Sequence, residues 1–86
     1  MDINQLKEIV KKKILKNIKI EEIKIEDKTF LHKSHASHDK NKFHLKLTIS
    51  SKALKFENKI LATKKIYKVL DDEIKNHIHS IQIILL

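Results

Sequence analysis

Residues 43–50 read FHLKLTIS. Phe43, Leu45, Leu47 and Ile49 alternate without a break with His44, Lys46, Thr48 and Ser50. Successive side chains of a strand point to opposite faces, so this alternation describes a strand with one apolar and one polar side. A helix would place its apolar residues three and four apart. The stretch therefore predicts a sheet that is packed on one face only. His44 falls on the polar side and is expected to be solvated.

The pattern extends outward in both directions. IKIED, residues 23–27, alternates again, with Ile23 and Ile25 on one side. Before it, Ile3, Leu6, Ile9, Val10 and Ile14 have helical spacing up to about Asn17, and Asp2 is available as N-cap. After residue 50, the segment 50–59 reads as a connection with room for one helical turn. Thr63 is expected to cap a helix running to about Lys75, with Ile66, Val69, Leu70 and Ile74 as its apolar stripe. His79, Ile81, Ile83 and Leu85 then share one face of a last strand.

The predicted order is α-β-β-α-β. It implies an α+β fold of two layers, with a small three-stranded mixed sheet and helices on one face, because each amphipathic helix must bury its stripe. The first two strands are expected to pair antiparallel. The helical crossover makes the second and third parallel, with a right-handed connection.

The chain has 86 residues, enough for a single domain over 1–86 with a modest core. It contains no Cys, which removes disulfides, thiolate metal sites and Cys nucleophiles together. No apolar run approaches the roughly 20 residues that span a bilayer. A soluble, cytoplasmic monomer is the expectation. The formal net charge is +8, and all 19 cationic residues are Lys. Such a charge invites a nucleic-acid reading, with Lys11, Lys12 and Lys13 as phosphate contacts. The absence of Arg, Gly and Pro beside abundant Ile, Lys and Asn points instead to biased composition at every surface position. Arg is also the residue whose fork reads guanine edges. The lysine run therefore reads first as a solvated helix face and only second as a set of phosphate contacts.

Catalysis has little support. There is no Gly for a phosphate loop, and no HExxH or Ser/His/acid pattern. A non-enzyme is expected. The chemistry-bearing residues are six histidines. His32, His35 and His38 recur at intervals of three in a polar segment, residues 28–42, that is long for a hairpin. They read as ordinary loop residues or as metal ligands. His77 and His79 flank Ile78 near the end. Spacing alone favours His79 as a core-edge histidine bonded to a carbonyl, and places His77 in a surface turn.

Three stretches together resemble the BolA family. IEDKTFLHKSH looks like the family's segment after strand one, with an acidic residue, a Ser/Thr and a His-bearing loop. FHLKLTIS is similar to its second strand. IYKVLDDEIKNHIHSIQI resembles its second helix and the hydrophobic-His-Ala step into the last strand. The family's Arg-His-Arg run is replaced here by Ala62-Thr63-Lys64. Its Phe-x-Gly turn reads Phe56-Glu57-Asn58, where Asn is the next best residue for positive φ.

The resemblance implies a fold similar to the class II KH fold. It also implies a monothiol glutaredoxin as partner, in a heterodimer that bridges a [2Fe–2S] cluster. His79 matches the family's His ligand. The loop ligand matches His32, with His35 as the alternative. The isolated chain, lacking thiolates, is not expected to hold a cluster tightly. A transcriptional regulator that binds nucleic acid is the other function such a fold implies. The GXXG loop of KH domains is absent, so that binding would be mostly electrostatic and salt-sensitive.

Overall fold

The structure is a computed structural model, and it describes residues 1–29 and 42–86. The element order is α1 (Ile3–Asn17), β1 (Glu22–Asp27), β2 (Phe43–Ser50), α2 (Lys52–Lys55), α3 (Lys59–Val69), α4 (Asp71–Asn76) and β3 (Ile78–Leu85). The sheet has the order β1-β2-β3. β1 pairs antiparallel with β2, and β2 pairs parallel with β3, as the crossover requires. The fold is thus the expected α+β arrangement of helices on a small mixed sheet.

The alternation of β2 sets the core. Leu45, Leu47 and Ile49 are buried against Leu6, Val10 and Ile14 of α1 and Ala62 and Ile66 of α3. In register with them, β1 contributes Ile23 and Ile25, and β3 contributes Ile81, Ile83 and Leu85. Asp2 caps α1 through the Gln5 amide at 2.8 Å, and Gln5 returns the bond to the Asp2 amide. This reciprocal box satisfies two amides that the first turn leaves without helical partners.

The crossover differs from the expected single helix. Its long helix starts at Lys59, and Asn58 is the cap, accepting from the Ile60 amide at 2.8 Å. Thr63 lies inside α3 and is half-buried. Asn outranks Thr as an N-cap, and the position five residues upstream wins. No described residue has positive φ, and Asn58 sits at φ −59°. The turn at Phe56-Glu57-Asn58 therefore needs no left-handed residue. The helix also breaks at Leu70, which is buried, with φ −99° and ψ 18°. Asp71, Asp72 and Glu73 then open α4, where acidic side chains suit the positive end of a helix dipole. Upstream, α2 supplies the single turn expected in segment 50–59. It is capped by buried Ser51, whose hydroxyl accepts from the Leu54 amide and donates to the Lys19 carbonyl.

Among the described residues, no helix is long and apolar enough to cross a membrane.

Candidate metal-binding edge at the start of β3

The entry into β3 is fixed by backbone bonds. The His77 amide donates to the Glu73 carbonyl at 2.8 Å, closing α4. The His77 carbonyl then accepts from the Phe43 amide at 2.9 Å, which docks the turn onto the head of β2. Phe43 pairs with Ile78, but the next residue, His44, pairs with Ser80. β3 advances two residues while β2 advances one, so His79 is the inserted residue of a bulge. Bulges re-aim side chains. Here Ile78 is buried in the core, while His79 is exposed. No hydrogen bond to the His79 ring occurs among the described residues, so it is not the carbonyl-bonded core-edge histidine that spacing alone favoured.

His44 corrects a second expectation. It is only 6% exposed, although it lies on the polar side of β2. Its Nδ1 is 2.6 Å from the Ser80 hydroxyl, its partner in register on β3. Its ring centroid is 4.9 Å from that of His79, with planes tilted by 43°. The end of β1 is fastened to the same residue. The Lys28 amide donates to the His44 carbonyl at 2.7 Å, and the His44 amide donates to Thr29 Oγ1 at 3.1 Å. Thr29 is held in turn by Asp27 Oδ1, which accepts from both the amide and the hydroxyl of Thr29. Sequence reasoning missed His44 because its burial follows from the β2–β3 register and the bulge, which no local pattern encodes.

His32 and His35, the loop residues singled out as ligands, lie outside the described residues, as does His38. The described ends of that segment, Thr29 and Lys42, are respectively bonded to His44 and adjacent to Phe43, at the same end of the sheet as His79. His77 is half-buried at the end of α4. Among the described residues, no group of three or more His, Asp or Glu converges as a ready metal cage.

The lysine run does not form one basic face. Consecutive helix residues diverge by about 100°. Lys13 Nζ binds both carboxylate oxygens of buried Glu73, at 2.9 and 2.7 Å. Lys12 lies 3.7 Å from Glu8 one turn earlier.

Comparison with known proteins agrees with this architecture. The family model described as BolA-like protein matches residues 14–86. The BolA domain of SufE1 from Arabidopsis thaliana superposes with a TM-score of 0.76 at 26% identity, covering 99% of this chain and 92% of that one. BolA1 from Arabidopsis thaliana gives a TM-score of 0.73 at 25% identity, over 88% of this chain and 84% of that one. A Bol-like protein from Babesia bovis shares the fold at 14% identity, with a TM-score of 0.70 over 93% and 81% of the two chains. Among curated sequences no protein matches. The family match spans the strands, the crossover helices and the bulge that carries His79, and the chain belongs to the BolA-like protein family.

Proposed function

We propose that this protein is a non-enzymatic adaptor or regulator in iron–sulfur cluster handling. It binds a monothiol glutaredoxin and shares a bridged [2Fe–2S] cluster with it through histidine. The observation that carries this reading is the bulge at the start of β3, which turns His79 out of the core while Ile78 stays in it. An exposed imidazole at a strand end is accessible to a partner's cluster.

The donor set fits such sharing. The chain has no Cys, so it offers imidazoles and leaves thiolates to the partner. One iron held by two thiolates and the other by two imidazoles is the ligand split of Rieske centres. His79 is one imidazole. His32, or His35 in its place, is the second, since the segment that carries them begins beside His44. The free chain is then a monomer that holds no cluster firmly. A cytoplasmic location is part of the same reading.

The test is to mix the protein with a cluster-loaded monothiol glutaredoxin and follow visible absorption and size together. A heterodimer with a spectrum distinct from the glutaredoxin homodimer is expected. Retention of the homodimer spectrum and size would remove the reading.

A further inference from the structure

The turn before α3 and the first turn of that helix carry a surface that the shared-cluster reading does not use. Leu54 is buried, and its carbonyl accepts from the Glu57 amide at 3.1 Å, which pins the turn to the core. Phe56, between them, is nevertheless 92% exposed, followed by Ile60 at 65% and Leu61 at 56%. α3 meets the core through Ala62 and Ile66 instead. We propose that this surface is a peripheral contact for an anionic phospholipid bilayer, with Phe56, Ile60 and Leu61 as apolar anchors among lysines.

Charge is the first support. A composition rich in lysine explains single surface lysines but not a local imbalance. Residues 52–68 hold six lysines against one acidic residue, Glu57, a net +5 of the chain's +8. Glu57 is itself ion-paired with Lys65. Among the described residues, Lys64 and Lys68 have no carboxylate partner. Phe56 and Leu61 share with Lys64, Lys65 and Lys68 the walls of an open groove of about 590 Å3. Lys65 and Lys68 also line the neighbouring groove, together with Lys16 and Lys19.

The combination selects the partner. Phosphate contacts to a nucleic acid need the lysines but make no use of Ile60 and Leu61, which cannot stack on bases. Protein interfaces are depleted in lysine. A membrane surface takes both features at once: apolar side chains enter the boundary between headgroups and acyl chains, and lysines meet the anionic headgroups. The chain is then peripheral, with nothing crossing the bilayer.

The experiment is co-sedimentation of the full chain with vesicles of phosphatidylcholine alone and of phosphatidylcholine mixed with phosphatidylglycerol. Binding to the anionic vesicles only is expected, falling as salt rises. Phe56→Ser and Leu61→Ser should each weaken it at least about tenfold, as loss of a large apolar side chain from the contact does. Lys68→Gln should weaken it about fivefold, the contribution of one lysine near an anionic surface. Lys46→Gln, on the sheet face away from the helices, should change it less. Phe56→Trp, in a chain with no other Trp, should show a blue shift of emission on the anionic vesicles. Binding that Phe56→Ser leaves unchanged, or that Lys46→Gln and Lys68→Gln weaken equally, would overturn the proposal. So would an unshifted Trp emission on saturating vesicles, or capture of duplex DNA by a chain that does not bind the vesicles. The conservative Trp variant decides the matter even if a serine variant fails to fold. No arm contains glutaredoxin, so the two readings fail separately.

Discussion

Lys13 of α1 places its Nζ 2.9 and 2.7 Å from the two carboxylate oxygens of Glu73 on α4. The Glu73 carbonyl accepts the His77 amide, and the His77 carbonyl accepts the Phe43 amide. One ion pair thus ties the first helix to the segment that leads into β3. The pair is asymmetric, since the Glu73 side chain is 8% exposed and that of Lys13 36%. Removing the lysine strands a carboxylate in the interior, whereas removing the carboxylate lets a long lysine turn to water. Lys13→Met is therefore expected to lower Tm by several degrees, and Glu73→Gln by less. Thermal melts of the two variants check the ranking, and the reverse order would count against it.

The same pair gives a pH signature. The hydrogen bond to Glu73 raises the Lys13 pKa; partial burial opposes it, and the charges of Glu73 and Asp72 add to it. A raised folded pKa means that folding favours the protonated amine. That contribution is fully present below the ordinary lysine value of about 10.4 and is lost as pH climbs through the folded value. The Tm difference between wild type and Lys13→Met should therefore narrow as pH rises above about 10.4. A gap that stays constant through this range would show that the pair contributes by packing alone.

The start of α3 is testable by its cap. Asn58→Ala removes the acceptor for the Ile60 amide and is expected to cost about 0.5–2 kcal/mol in urea unfolding. Thr63→Ala removes no cap and replaces a β-branched residue within a helix, so its effect should be smaller. A larger loss at Thr63 than at Asn58 would move the helix start downstream.

These elements show where the sequence was informative. β2 was legible because its period of two matches a sheet buried on one face, and its neighbours followed from the same pattern. α1 was legible from its stripe and from Asp2. The break at Leu70 was not, because Val69, Leu70 and Ile74 continue the apolar stripe across it. Only the acidic run from Asp71 to Glu73 hinted at a new helix start. At the candidate site, His79 stood out because a recognisable step surrounds it. Its exposure depends on a bulge, and the burial of His44 on an interstrand register. Both are relations between distant residues, which a pass along one strand does not contain.

The last prediction separates His79 from His77, two residues away. Both follow α4, and both are imidazoles near the same strand end. Only His79 is the inserted bulge residue with its ring exposed; His77 is half-buried at the helix end, with its backbone engaged on both sides. If His79 holds an iron of the shared cluster, His79→Ala should abolish the spectrum of the mixed glutaredoxin complex. Because His79 is exposed, folding stability should change by no more than about 0.5 kcal/mol. His77→Ala should leave the spectrum in place. His32→Ala should weaken the complex or alter its spectrum, with His35 able to substitute in part. Melts run beside absorption spectra distinguish a ligand from a structural residue. A His79→Ala protein that still forms the normal mixed complex would sink the assignment, because the bulge would then expose an imidazole that the cluster does not use.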